Sequence, residues 1–388
     1  MPEAKTLFGI DIFFGQSHFY KNYRLGLITN NAALTSSGEL SRVALLKADF
    51  NITKLFSPEH GLNTKGADGS SQENIKDSIT GLPVISLYGE KLEPSQNDFS
   101  DLDIIVFDIP DAGARFYTYL WSLTYVMEAC AEYNILLIIL DRPNPLGGNL
   151  ILAEGPMLDE KNCSSFIGRW SIPIRHCCTY GELAKYFSVT KKIDLDSIVI
   201  KNENWNRKKS VAGKDWKFRP PSPAIISSET ALLYPGMGLM EGININEGRG
   251  TDTPFKTFGA PWLDSDILLK EFTQLSLPGI EAQACTYLPN DSLYKDKLCN
   301  GLKLTVTDSD SFRPVLTGLE LIRLLIKLFP DKCKERLYKT NANPTGQNHL
   351  DKLTGAVYSF YKIKEGTFLK QHYTTDNWQE KIKPYLLY

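Results

Sequence analysis

The stretch Leu136-Leu137-Ile138-Ile139-Leu140-Asp141-Arg142-Pro143-Asn144-Pro145 decides the fold class, because five consecutive apolar residues are followed at once by charged residues and prolines. A strand that is apolar at every position must be covered on both faces, as strands are in parallel sheets flanked by helices. The run Ile104-Ile105-Val106-Phe107 has the same character. Five strands are predicted on this basis: Arg24–Thr29, Ile52–Ser57, Pro83–Leu87, Asp103–Asp108 and Ile135–Leu140.

The segments between these strands carry helical spacing, for example Gly38–Lys47 and Thr118–Tyr133. Strands that alternate with helices are typical of βαβ units, so the first 150 residues predict an α/β domain with a mostly parallel sheet. Beyond residue 150 the pattern is mixed, and Asp308 to Phe329 predicts a loop followed by an amphipathic helix. We therefore expect an N-terminal domain over residues 1–150 and a mixed α/β domain over residues 151–388.

Polar residues follow every predicted strand, and the carboxyl ends of parallel strands meet at one edge of a sheet. They include Asn30, Glu59, His60, Tyr88, Asp108, Asp141, Arg142 and Asn144. Loops are polar in most proteins, so one such cluster is weak evidence. Their common position predicts a binding cleft along this edge.

The segment Ser57-Pro58-Glu59-His60-Gly61 is the best candidate for catalysis at this edge. Pro58 ends the strand and Gly61 permits a sharp turn, so one carboxylate and one imidazole are held on a short turn. Such a pair is suited to proton transfer. The alternative is an ordinary loop with an acid that caps a helix.

Two other segments predict ligand contacts. Arg115 with Tyr117 offers a guanidinium fork and an aromatic surface, which suit a sugar that bears an acid, although an internal Arg–Asp pair is the alternative. Glu241, Glu247 and Arg249 lie in a glycine-rich stretch that predicts a site wall, with a plain turn as the alternative. Gly236-x-Gly238 does not follow a strand, so it does not predict a dinucleotide site.

The composition excludes several classes of function. The 388 residues carry a net charge of −2, which argues against a nucleic-acid partner or an anionic membrane surface. No apolar run approaches the length of a membrane span, and no export signal is visible, so we expect a cytoplasmic protein, or a periplasmic or secreted one if a leader has been removed. Seven dispersed cysteines and five histidines predict neither a metal site nor a cofactor. The oligomeric state stays open.

Several motifs resemble those of the exo-β-N-acetylmuramidases of the NamZ type, in order along essentially the whole chain. They include Ser57-Pro-Glu-His-Gly61, Leu87-Tyr-Gly-Glu90, Arg115-Phe-Tyr-Thr-Tyr119, Asp141-Arg-Pro-Asn-Pro145, Tyr234-Pro-Gly236, Glu247-Gly-Arg-Gly-Thr251, Gly259-Ala-Pro-Trp262 and Pro384-Tyr-Leu-Leu-Tyr388. The resemblance implies a Rossmann-like N-terminal domain, a smaller C-terminal domain and an active-site cleft between them. It also implies release of N-acetylmuramic acid from the non-reducing ends of peptidoglycan fragments, with Glu59 as the leading catalytic residue.

Glycosidases commonly use two carboxylates, of which one protonates the leaving oxygen. Glu59 is the expected acid, oriented by His60. Glu247 and Asp108 are both candidates for the second carboxylate, and an acetamido group of the substrate could replace it. Arg115 is the expected partner of the lactyl carboxylate that distinguishes N-acetylmuramic acid, with Arg249 as its competitor. The alternative function is that of a sugar-binding protein without turnover. A nicotinamide-dependent oxidoreductase would also fit the predicted sheet, but the chain lacks the glycine motif of such enzymes.

Overall fold

A computed structural model of the chain describes residues 5–66, 75–208, 216–341, 343–368, 375 and 377–388. The larger sheet has seven strands in the order β3-β4-β2-β1-β5-β6-β7. They are β1 Leu25–Thr29, β2 Ile52–Ser57, β3 Ile75–Lys76, β4 Pro83–Ser86, β5 Ile104–Asp108, β6 Leu136–Leu140 and β7 Ser197–Ile200. Six strands are parallel, and only β3 runs antiparallel to its neighbour among the described strands.

The predicted mostly parallel sheet is confirmed, and the apolar runs explain it. Successive residues of a strand point to opposite faces, so Val106 packs in one core cluster and Phe107 in the other. Both residues are about 1% exposed, which places apolar cores on both faces of the sheet. The five predicted strands differ from the observed ones by at most one residue at either end.

Helices cover both faces of this sheet and continue into the C-terminal half. They are α1 Gly9–Phe13, α2 Ser17–Tyr20, α3 Ser41–Lys47, α4 Gln96–Phe99, α5 Tyr119–Glu132, α6 Glu160–Cys163, α7 Tyr180–Thr190, α8 Ser228–Met237, α9 Ser265–Gln274, α10 Pro314–Leu328, α11 His349–Thr354, α12 Ser359–Lys364 and α13 Trp378–Ile382. A second sheet is antiparallel in the order β8-β10-β9, with β8 Thr257–Ala260, β9 Ile280–Tyr287 and β10 Cys299–Val306. No helix within the described residues is both long and apolar enough to span a bilayer.

The order of the six parallel strands identifies where ligands can bind. Counted along the chain, they lie in the order 3-2-1-4-5-6, which is that of the Rossmann fold. The chain moves outward from β1 in one direction and from β5 in the other, so the order reverses between these two adjacent strands. The loops that follow β1 and β5 therefore run in opposite directions from this point. A crevice opens between them at the carboxyl edge of the sheet.

Polar contacts connect the two halves of the chain. Arg115, in the loop after β5, donates to the carbonyl oxygen of Leu353 in α11 at 2.9 Å. The last residue, Tyr388, donates from its hydroxyl to Asp141 at 2.7 Å, beyond the end of β6. The larger sheet also extends past residue 150, since β7 pairs with β6. The division of the domains at residue 150 stays a prediction.

Helices α8 and α10 cross in close contact through two glycines. A β-carbon on Gly236 would lie 1.9 Å from the carbonyl oxygen of Pro314, and one on Gly318 would lie 2.3 Å from the carbonyl oxygen of Gly236. The conflict in both cases is with backbone, which cannot rotate away as a side chain can. The crossing therefore requires glycine, whose side chain is a single hydrogen, at both positions.

We expect Gly236→Ala to lower the free energy of unfolding by about 2–3 kcal/mol, as overpacking of a tight core does. Chemical denaturation of the purified protein measures this loss. Gly15→Ala is the matched control, because a β-carbon there has no neighbour within 4 Å. Equal stability of the two variants would show that the helices tolerate separation.

Candidate active site

A pocket of about 740 Å³, including its open mouth, lies between the carboxyl edge of the larger sheet and the C-terminal half of the chain. Loops that follow β2, β4 and β5 form one wall, segments beyond residue 220 form the opposite wall, and residues 165–167 complete the lining. Six of the predicted site residues line it: Glu59, His60, Tyr88, Tyr117, Glu241 and Arg249. The predicted Glu-His turn and the predicted glycine-rich wall therefore face one cavity.

Glu59 lies on a tight turn directly after β2. The next two residues, His60 and Gly61, have φ angles of 66° and 70°, in the left-handed region. Glycine adopts this region easily, whereas a histidine there is strained, and strain of this kind concentrates at functional sites. The hydroxyl of Thr118, just before α5, donates to Glu59 Oε2 at 2.6 Å. The carboxyl group of Glu59, which is 7% exposed as a residue, is thus held in one orientation at the pocket wall.

The ring of His60 is fixed by a contact within the same loop. Its Nδ1 lies 2.8 Å from the carbonyl oxygen of Gly66. A carbonyl only accepts, so Nδ1 carries the hydrogen, and Nε2 is the nitrogen that can act as an acceptor in the neutral ring. The ring also meets Tyr119 edge to face at 6.3 Å between centroids. His60 is therefore a positioned polar group beside Glu59.

Glu241 is the carboxylate of the opposite wall. Arg249 Nη2 donates to Glu241 Oε1 at 2.8 Å, and His349 Nε2 lies 3.6 Å from Glu241 Oε2. Burial favours the neutral acid, but the charge of Arg249 and the contact with His349 outweigh it and lower the pKa of Glu241 below its usual value. Glu241 is therefore ionised at neutral pH.

Glu247, one of the two predicted candidates for the second carboxylate, lies behind this wall and does not line the pocket. It is fully buried, with Arg249 Nε at 3.0 Å and Arg336 Nη1 at 3.7 Å from its oxygens. Burial, reinforced by the nearby charge of Glu241, raises the pKa of Glu247. Its position suits it to hold Arg249 in place and not to contact a substrate.

Asp108, the other predicted candidate for the second carboxylate, does not line the pocket either. It is fully buried, and the Arg142 guanidinium binds both of its oxygens, with Nε–Oδ1 at 2.6 Å and Nη2–Oδ2 at 2.9 Å. Neither residue lines this pocket. Asn30 is also enclosed away from it, with its side-chain oxygen accepting from the backbone of Ala32 at 3.0 Å. These three residues do not join the Glu59 site.

Three further residues that were predicted to contact a ligand are bonded to other parts of the protein. Asp141 accepts from Thr179, from the backbone of Gly181 and from the Tyr388 hydroxyl. Asn144 bonds the backbone of Cys178 and Leu146. The structure does not place Arg115 in the pocket either. It is fully buried and donates to three carbonyl oxygens, those of Pro156, Ile172 and Leu353, at 2.7–2.9 Å. Its guanidinium is thereby committed inside the fold.

Sequence reasoning missed several lining residues. They are Thr118, Tyr234, Tyr338, His349 and Lys352. Lys352 donates to the side-chain oxygen of Asn343 at 2.7 Å and forms no ion pair with a described carboxylate. Burial lowers the pKa of this ammonium. No spacing in the sequence marks Lys352, because it reaches the pocket from a helix almost 300 positions after Glu59.

The fold and the pocket define a two-domain α/β protein with a polar and aromatic site that holds one carboxylate on each wall, an arrangement suited to glycoside chemistry. Family models of the exo-β-N-acetylmuramidase NamZ match residues 25–229 with the N-terminal part and 232–388 with the C-terminal part. The chain belongs to the NamZ exo-β-N-acetylmuramidase family, as its motifs indicate.

One relative and two crystal structures support this assignment. The peptidoglycan β-N-acetylmuramidase NamZ of Bacillus subtilis (strain 168) is 39% identical over 374 residues, which cover 95% of this chain and 87% of the relative. A DUF1343 family protein of Bacteroides fragilis NCTC 9343 is 27% identical with a TM-score of 0.85 over 100% of both chains. A second such protein of the same organism is 27% identical with a TM-score of 0.76 over 99% of both chains.

Proposed function

We propose that this chain is an exo-acting β-N-acetylmuramidase, which releases β-linked N-acetylmuramic acid from the non-reducing ends of peptidoglycan fragments. The observation that carries the proposal is the pocket in which Glu59, held by Thr118, shares a cavity with ionised Glu241. The family supports the same reaction, because its curated Bacillus subtilis relative is a peptidoglycan β-N-acetylmuramidase.

Glu59 is assigned as the general acid that protonates the leaving glycosidic oxygen. Thr118 holds one of its oxygens, which aims the carboxyl group at a fixed place in the pocket. His60 orients the turn through its bond to Gly66. Proton transfer by a positioned acid typically contributes about 10²–10⁴-fold to the rate.

Glu241 is assigned as the second carboxylate, in place of Glu247 and Asp108. It lines the pocket, and Arg249 keeps it ionised. A negative charge on that wall stabilises the positive charge that develops on the sugar ring in the transition state. An acetamido group of the substrate remains the other nucleophile that the chemistry allows.

Lys352 is assigned as the partner of the lactyl carboxylate. Arg249, the competing candidate, is already paired with Glu241 and Glu247. Lys352 is a partly buried cation of the same pocket whose described polar partner is the neutral amide of Asn343. An incoming carboxylate would stabilise the ammonium that burial disfavours, so the charged sugar is preferred over a neutral one.

We expect Lys352→Met to lower kcat/KM for a chromogenic β-N-acetylmuramide about tenfold or more, the loss of one charge-assisted hydrogen bond. The weak turnover of the matching β-N-acetylglucosaminide should stay nearly unchanged, since that sugar has no carboxylate. Lys364→Met, at an exposed position of α12, is the control. Equal losses on both sugars would remove Lys352 from the role of selecting the lactyl group.

Turnover of the chromogenic β-N-acetylmuramide by the wild-type protein tests the function itself. Release of free N-acetylmuramic acid from a fragment with that sugar at its non-reducing end confirms the exo mode. Saturable binding of the same fragment without any release would instead identify a sugar-binding protein.

A further inference from the structure

A second cavity lies at the point where the strand order reverses, and the proposed reaction does not use it. It encloses about 1460 Å³ including its open mouth and shares no lining residue with the Glu59 pocket. Loops after β1, β5 and β6 form it, through Ala32, Asp111 and Arg142 among others. This is the crevice in which open α/β sheets of this topology bind ligands.

The floor of the cavity carries a fixed carboxylate. Asp111 is 7% exposed, and its Oδ1 accepts from the Tyr180 hydroxyl at 2.9 Å. Its Oδ2 forms no hydrogen bond among the described residues, and His176 Nε2 is 3.4 Å away. This oxygen is itself enclosed, so the carboxylate of Asp111 is fixed inside the fold, and the side chains it contacts are those of Tyr180 and His176.

Aromatic rings form one side of the cavity. Trp216 meets Phe8 edge to face at 5.8 Å, and the Arg142 guanidinium lies 5.2 Å from the centre of the same Phe8 ring. The indole nitrogen of Trp216 is enclosed and has no hydrogen-bond partner among the described residues. Phe218 adds a third ring. Flat apolar surfaces of this kind suit the apolar face of a sugar ring.

The rim of the cavity is positively charged. Lys5, Lys217 and Arg219 line it, and none of them forms an ion pair within the described part of the chain. Asp108 already balances the charge of Arg142, and Asp111 is the only acid among the lining residues that the structure describes. The lining thus retains an excess of positive charge, which favours an anion.

We propose that this cavity binds an acidic sugar, in which a hydroxylated ring lies against Trp216 and a carboxylate or phosphate meets Lys217 and Arg219. A nucleotide is disfavoured, because the loop between β1 and α3 contains the single glycine Gly38 and no glycine-rich cradle for phosphates. The inference rests on the lining of this cavity and not on the proposed reaction.

Calorimetric titration of the full chain tests the proposal. The probes are N-acetylmuramic acid, N-acetylglucosamine 6-phosphate, neutral N-acetylglucosamine and AMP, so that carboxylate, phosphate and nucleotide ligands are told apart. We expect the double substitution Lys217→Ala with Arg219→Ala to raise the Kd of one bound equivalent of each acidic sugar about tenfold or more. Trp216→Ala should weaken the same equivalent. Lys270→Ala with Lys303→Ala, which removes the same charge from exposed positions of the C-terminal half, should change nothing.

The titration separates this cavity from the Glu59 pocket. A second equivalent of N-acetylmuramic acid that does not depend on Lys217 and Arg219 belongs to the Glu59 pocket, and its absence would count against the proposed reaction alone. Equal binding of N-acetylglucosamine, no equivalent that depends on Lys217 and Arg219, or tighter binding of AMP than of either acidic sugar would each overturn the proposal.

Discussion

Glu59→Gln is expected to lower kcat about 10²–10⁴-fold on a peptidoglycan disaccharide, because glutamine keeps the shape of the side chain and cannot donate the proton. The amide can still accept the hydrogen bond that Thr118 donates to the Glu59 carboxylate, so the turn after β2 should remain intact. Steady-state kinetics on the purified variant measures the loss. The effect is the largest we expect from one side chain in the pocket.

The leaving group distinguishes a general acid from a residue that only binds. An aryl glycoside with a strongly acidic phenol needs little protonation, so the Glu59→Gln variant should lose far less activity on it than on the disaccharide. Glu271→Gln, in α9 and outside the pocket, is the control and should behave as wild type. Equal losses on both leaving groups would assign Glu59 to positioning, and wild-type rates on both would remove it from the mechanism.

Arg115→Ala is expected to lower the free energy of unfolding by at least about 3 kcal/mol. The substitution leaves three buried carbonyl oxygens without a donor, and each such loss typically costs about 1–3 kcal/mol. One of them belongs to Leu353 in α11, so the substitution also weakens the contact between the two halves of the chain. Denaturant titration measures the loss.

A surface arginine provides the comparison for Arg115. Arg323→Ala removes a partly exposed ion pair with Glu320 and should cost about 1 kcal/mol or less. Arg115→Lys should recover little of the loss, because one ammonium cannot reach all three carbonyls. An Arg115→Ala protein that is as stable as wild type but no longer prefers the muramide would restore Arg115 to the substrate site.

The α/β class and the turn that carries Glu59 and His60 could be predicted from the sequence because both depend on neighbours in the chain. Continuous apolar runs such as Leu136–Leu140 demand cover on both faces of a strand, wherever the cover comes from. Glu59 and His60 are adjacent, and Pro58 and Gly61 fix the turn that presents them. Short-range constraints of this kind need no knowledge of the rest of the fold.

Which polar residues line the pocket was decided by the tertiary structure. The residues that follow the strands do share one edge, but Asp108 pairs with Arg142, Asp141 bonds the C-terminal tyrosine, and Arg115 is enclosed. A buried polar group must be satisfied by whatever partner the fold brings to it, and that partner is often distant in sequence. Lys352 reaches the pocket for the same reason, from a helix that no local pattern relates to Glu59.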